Sequence, residues 1–84
     1  MIERLARSLR ELSVLTPDEL SSASRTRERA DCADAVRLEL DCMQKSLTTR
    51  EREILSRLSD ALETRQVDGE ALAASVRAAW DVLR

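Results

Sequence analysis

The spacing of apolar residues is the feature that most limits what this chain can fold into. Leucines and alanines recur three and four residues apart through most of its 84 residues. An α-helix has about 3.6 residues per turn, so side chains at this spacing lie on one face. No segment shows the alternation that is typical of a strand. The pattern therefore predicts an all-α fold in which each helix buries one face.

Start signals divide the pattern into four helices. Thr16 and Thr48 each stand three residues before a glutamate, as in a capping box, and Asp68 can cap the last helix. Leu15 and Val67 precede two of these caps at the position of a hydrophobic staple. The predicted helices span residues 2–13, 17–45, 49–64 and 69–83.

Short turns between these helices predict a small antiparallel bundle formed by a single helical domain, residues 1–84. Many of the apolar residues are alanines, which bury little area, so we expect dimerisation or a partner to complete a thin core. In an alternative arrangement, the long second helix crosses the others and two copies meet along it. The polar stretch 21–29 is either an exposed arm of that helix or frayed.

The charges are nearly balanced, with 14 basic and 16 acidic residues and a net charge of −2. Such a chain has no long-range field that would attract nucleic acid or an anionic membrane. Within the second helix the charges are segregated, which indicates a solvated face or, alternatively, a docking surface. The residues concerned are Arg25, Arg27 and Arg29, followed by Asp31, Asp34, Glu39 and Asp41.

Residues that could carry chemistry are few. The chain has no histidine, and its hydroxyl groups have no base nearby in sequence. Cys32 and Cys42 would lie about 15 Å apart along one helix, too far for a disulfide within it. They are interpreted as two thiols in a reducing cytoplasm or, alternatively, as a source of a disulfide between subunits. We predict no enzyme activity, no cofactor and no metal. Without a secretory signal or a long apolar run, a cytoplasmic location is expected.

Residues 46–55 resemble the opening of the LuxR-type helix-turn-helix, with Leu47-Thr48, Arg50-Glu51 and Glu53-Ile54-Leu55 in place. The similarity ends there, and the sequence stops where a recognition helix should follow. The alternative function that this resemblance implies is a small DNA-binding transcriptional regulator with a degenerate helix-turn-helix. Its contacts would come from Arg25, Arg27, Arg29, Arg50 and Arg52.

Residues 55–76 resemble the C-terminal helical region of the flagellar anti-sigma factors. The matching residues are Leu55, Leu58, Ala61 and Leu62, then Val67, Asp68, Leu72 and Ala73. The chain departs from that pattern between the two groups, where the usual Gly-x-Tyr turn is missing and the connection is shorter. In its length and in the apolar stripes of its predicted helices, the chain is also similar to small helical chaperones of type III secretion.

These patterns favour a non-enzymatic bacterial interaction module that binds and masks an amphipathic helix of a partner protein. A second copy of the chain is a further expected partner, whereas nucleic acid and membrane are not. Trp80, the only aromatic residue, is either a core residue or an anchor for the partner. We expect the two middle helices to form the core and the outer two to bind, through Leu5, Leu9, Leu12, Val76, Trp80 and Leu83.

Overall fold

The computed structural model describes residues 2–42 and 46–83, and within them every regular element is helical. The helices are α1 (Ile2–Ser13), α2 (Pro17–Ser21), α3 (Thr26–Cys42), α4 (Thr49–Glu63) and α5 (Gly69–Leu83), and a short 3₁₀ turn covers Ala23–Arg25. The predicted all-α fold is confirmed.

The predicted caps begin three of these helices. The Thr16 hydroxyl accepts a hydrogen bond from the Glu19 N–H at 3.2 Å, and the Glu19 carboxylate accepts from the Thr16 N–H at 3.0 Å. Thr48 and Glu51 exchange the same two bonds. The Asp68 carboxylate accepts from two N–H groups in the first turn of α5, at 3.0 and 3.3 Å. Each cap satisfies amide donors that a helix start leaves without a partner.

The predicted helix 17–45 is wrong as a continuous element. The extended backbone of Ser22, with φ −66° and ψ 141°, ends α2, and its hydroxyl accepts from the Ser24 N–H at 3.2 Å. Serine side chains compete in this way for backbone groups that a helix would use. The polar stretch 21–29 is therefore neither an exposed arm of one helix nor a frayed end. It contains the break between α2 and α3. Residues 43–45 lie outside the described residues, and α4 ends one residue before the predicted 64.

The helices share one hydrophobic core. Helix α3 packs against α1 and α4, while α5 packs against α1, α2 and α4. The expectation that the middle helices alone form the core is wrong, since each of the five α-helices contributes buried side chains. The buried apolar residues are Leu5, Leu9, Leu12, Leu20, Cys32, Ala33, Ala35, Val36, Leu55, Leu58, Leu62, Leu72, Val76 and Ala79.

The buried face of α3 is not purely apolar. Ala30 is exposed, whereas Arg29, expected on a solvated face, is buried. Glu39, expected on a solvated face, is only 1 % exposed and lies on the same helix face as Cys32 and Val36. The helix is turned so that this face, and not a strict row of apolar residues, meets α1 and α4.

Helix α5 approaches α2 closely through Gly69. A Cβ atom at this position would lie 3.0 Å from the Pro17 Cα atom and closer still to its carbonyl group. Only glycine, which has no Cβ, allows this approach. The only glycine and the only proline of the chain therefore meet where α5 begins.

Candidate functional site

An apolar groove of about 350 Å³ lies between the end of α1, the start of α2 and one side of α5. Its volume is at the lower end of the range of about 300–1,000 Å³ that is usual for ligand pockets. Most of its walls are aliphatic, and the indole of Trp80 forms part of one wall. The residues that line the groove are Leu12, Ser13, Leu15, Pro17, Leu20, Ala73, Val76, Arg77 and Trp80.

Local sequence explains why these residues meet. The capping box at Thr16 ends the turn after α1 and directs α2 so that Leu15 and Leu20 face the same space, as a hydrophobic staple does. The close approach of Gly69 to Pro17 then holds the first turn of α5 beside α2. One wall of the groove is thus the turn between α1 and α2, and the opposite wall is α5.

Trp80 is partly buried: it packs against the core and also lines the groove. The guanidinium carbon of Arg10 lies 6.0 Å from the centre of its ring, within the range of a cation–π interaction. Trp80 thus packs against the core, one of the two roles predicted as alternatives, and also lines the groove. The other role, an anchor for a partner, stays a prediction.

Two arginines lie at or beside the groove. Arg77 lines the groove and is exposed, and Arg10 lies over Trp80. Neither takes part in an ion pair with another described residue, whereas Arg25 pairs with Glu19 at 3.6 Å, as well as with Glu28. The groove thus has apolar walls, Arg77 in its lining and Arg10 beside its aromatic residue, and neither guanidinium is neutralised by the rest of the described chain.

Three of the six predicted contact residues come together here, namely Leu12, Val76 and Trp80. Leu5 and Leu9 are completely buried in the core and could meet a partner only if the bundle opened. Leu83 packs partly buried against the core. Sequence reasoning missed Arg77 and Ala73 as site residues, because nothing local indicates that α5 lies against α2.

The arginines proposed for DNA binding are divided among different roles. Arg29 is buried, and its Nη1 donates to the carbonyl oxygens of Leu20 and Ser22 at 2.8 and 2.6 Å. Arg25 pairs with two glutamates, whereas Arg27 is exposed. At least two of the five candidates are thus engaged within the fold. DNA binding stays a prediction that the arrangement of these side chains does little to support.

The thiols differ in environment. Burial raises the pKa of Cys32 to about 12, so this thiol is a poor nucleophile, whereas Cys42 is exposed. A disulfide between subunits would have to use Cys42. Within residues 2–42 and 46–83, no three acidic or cysteine side chains are grouped to hold a metal ion. None of the helices described is both long enough and apolar enough to cross a membrane.

Comparison with protein-family models, with curated proteins and with solved structures finds no match to this chain. The resemblances of residues 46–55 to LuxR-type regulators and of residues 55–76 to flagellar anti-sigma factors stay predictions. The groove and its two arginines are the features on which a function can be based.

Proposed function

We propose that this protein is a non-enzymatic interaction module that binds an amphipathic helix of a partner protein in the groove. The observation that carries the proposal is an apolar groove that includes the only aromatic residue of the chain in its wall. Aromatic side chains that are partly buried beside an apolar pocket commonly dominate the binding energy of protein interfaces. The expected setting is the bacterial cytoplasm.

A helix would bind through apolar side chains at positions i, i+3 or i+4, and i+7. Each such side chain gains about 1.5–3 kcal/mol when it is fully removed from water. Leu15, Ala73 and Trp80 are partly exposed and would contact these anchors directly. Leu12, Leu20 and Val76 form the floor behind them and need not move.

Binding of this kind would mask the partner. An amphipathic helix whose apolar face lies in the groove cannot use that face for a second protein, which is how an anti-sigma factor, an anti-activator or a secretion chaperone acts. The proposal does not distinguish among these three roles. It locates the contact on α1, α2 and α5 and leaves the exposed face of α4 free.

The buried leucines of α1 are unsuitable for testing this proposal. Leu9 and Leu12 are at most 1 % exposed, so aspartate at either position would unfold the bundle whatever its partner. Ala73 is better placed, because it is only partly buried and lines the groove. Methionine at this position would fill the groove from one wall.

The test uses a synthetic peptide of about five helical turns with leucine at i, i+4 and i+7 and glutamine at the flanking positions. Because Trp80 is the only tryptophan, its fluorescence reports directly on the groove. We expect a saturable shift in its emission and at least a tenfold loss of affinity in A73M. A71M, with the same change at an exposed site of α5, should bind as the wild type does.

Three results would contradict the proposal. They are the absence of any shift with the peptide, equal affinity in A73M and A71M, and self-association that already fills the groove. Sedimentation without peptide decides the last of these, because a dimer that A73M dissociates would make a second copy the occupant. Urea unfolding of A73M shows whether the variant is folded before its affinity is interpreted.

A further inference from the structure

We infer that the groove selects helices that carry acidic residues beside their apolar anchors, with Arg77 and Arg10 as the selecting groups. This inference rests on the proposed function and names the chemistry of the partner. It follows from where the two guanidinium groups lie and from the fact that neither pairs with a carboxylate of the described residues.

Both arginines lie near Trp80, the aromatic residue in the wall of the groove. Arg77 is three residues before Trp80 on α5, and positions i and i+3 of a helix are neighbours on its surface. Arg10 reaches the same indole from α1, with 6.0 Å between its guanidinium carbon and the ring centre. A ligand in contact with Trp80 would therefore lie near two positively charged groups.

Outside the groove, three exposed or partly exposed arginines form ion pairs with described carboxylates, whereas the remaining surface arginines, like Arg77, form none with a described residue. Arg37 pairs with Asp34 at 3.6 Å and also with Glu63, and Arg57 pairs with Glu53 at 4.0 Å. By contrast, Asp81 follows Arg77 by four residues, a spacing that permits pairing, and yet the two form no ion pair within 4.0 Å. The charge of Arg77 is thus available to a ligand.

A carboxylate is the group that an arginine beside an apolar surface binds best. The planar guanidinium can donate two parallel hydrogen bonds to a carboxylate, and these bonds strengthen where the ligand excludes water. Glutamate next to an anchor would gain such bonds, whereas lysine there would be repelled. Two exposed pairs together should give about a tenfold preference for an acidic over a basic helix.

The experiment compares three peptides that differ only at the flanking positions, where they carry glutamate, glutamine or lysine. Affinities are measured through Trp80 fluorescence at low and at high salt. We expect the order glutamate, glutamine, lysine, with the spread shrinking at high salt because exposed charges are screened. R77Q should reduce the preference several-fold, and the control R57Q, an exposed arginine that does not line the groove, should leave it unchanged.

The outcomes separate this inference from the proposed function. Equal affinity for all three peptides, or a preference for lysine, would overturn the charge selection and leave helix binding in place. Binding of none of them would overturn both. A preference for glutamate that survives in R77Q and in R10Q would also contradict the inference, because the selecting charge would then lie elsewhere. R10Q is judged together with a urea midpoint, since it also removes the contact with Trp80.

Discussion

Helix α3 buries the side chains of two residues of charged type, Arg29 in its first turns and Glu39 near its last. The two differ in their hydrogen-bond partners. Arg29 donates hydrogen bonds to two carbonyl oxygens and, at 3.1 Å, to the Thr26 hydroxyl. Both carboxylate oxygens of Glu39 are buried without a hydrogen-bond partner among the described residues. Helix α3 therefore contains one buried polar side chain that has hydrogen-bond partners and one that has none among the described residues.

The difference shows what a buried charge contributes in each place. The break after α2 leaves the carbonyl groups of Leu20 and Ser22 near the core. The guanidinium of Arg29 donates to both, and the Ser22 carbonyl also accepts from the Arg25 N–H at 3.1 Å. Arg29 thus stabilises a break in the helix that the capping residues alone would not explain. Glu39 supplies nothing comparable, and its burial costs free energy without a compensating bond.

The break also connects this comparison to the groove. Leu20, whose carbonyl oxygen accepts from Arg29, places its side chain in the wall of the groove. The end of α3 where Arg29 has hydrogen-bond partners therefore supports the proposed binding site. The end that contains Glu39 does not line the groove. A substitution there can therefore remove the free-energy cost of burying Glu39 without changing the groove.

The largest effect is expected when Arg29 is replaced. R29M keeps much of the aliphatic stem but removes the donor of the buried Leu20 carbonyl and leaves the Ser22 carbonyl with only the Arg25 N–H, so we expect a loss of about 3 kcal/mol in the free energy of unfolding. Urea unfolding followed by circular dichroism measures this loss. R27M, at an exposed site of the same helix, is the control and should change stability by no more than about 0.5 kcal/mol. If both variants unfold at the same urea concentration, Arg29 does not stabilise the break.

A smaller effect of opposite sign is expected at Glu39. Leucine is close to glutamate in volume and needs no hydrogen bonds, so E39L should raise the free energy of unfolding by about 1–3 kcal/mol. The same unfolding experiment measures the gain. E11L, at an exposed site of α1, is the matched control and should show little change.

The double variant R29M/E39L sharpens this prediction. The two positions lie about 15 Å apart along α3, so their effects should add within about 0.5 kcal/mol. A loss of stability in E39L alone would show that the carboxylate has a favourable interaction after all. A strong departure from additivity would show that the two charges interact, and the two ends of α3 could then no longer be compared as independent.

The smallest effect is a pH dependence at the Arg29 end, carried by Glu19. The Thr16 backbone N–H lowers the pKa of this carboxyl from its usual value of 4.5, with help from the Thr16 hydroxyl and from Arg25. Because the pKa is lower in the folded state, the charge stabilises the fold above about pH 4.5, and this contribution is lost as the pH falls through the folded value. E19Q keeps a capping amide but no charge.

We therefore expect the urea midpoint of E19Q to lie below that of the wild type near pH 7 and to approach it near pH 3. E11Q, at an exposed position of α1, serves as the control at both values. A deficit in E19Q that is equal at the two pH values would mean that hydrogen-bond geometry, and not charge, makes the difference.

The sequence predicts those features that depend on a few neighbouring residues. The caps at Thr16, Thr48 and Asp68 need only local spacing, and all three form. The break at Ser22 also involves Arg29, which contacts carbonyl groups seven and nine residues earlier in the chain, and periodicity does not predict such a contact. Glu39 was placed on a solvated face because charged residues usually are, and only the packing of α3 reveals its burial.

The candidate site divides in the same way. The apolar stripes of the first and last helices point to Leu12, Val76 and Trp80, which do line the groove. The same stripes also point to Leu5 and Leu9, which lie in the core. A stripe indicates which face is apolar but not whether a neighbouring helix or a ligand covers it. Arg77 could be recognised only after α5 had been placed beside α2.

The contact between Gly69 and Pro17 sets the distance between the two walls of the groove. The walls are held together at one end by a backbone contact that has room for the Cα hydrogen atoms of Gly69 but not for a Cβ atom. A methyl group there, as in alanine, would act as a wedge and force α5 away from α2. The width of the groove, and with it the size of side chain that the proposed partner could insert, therefore depends on the residue at position 69.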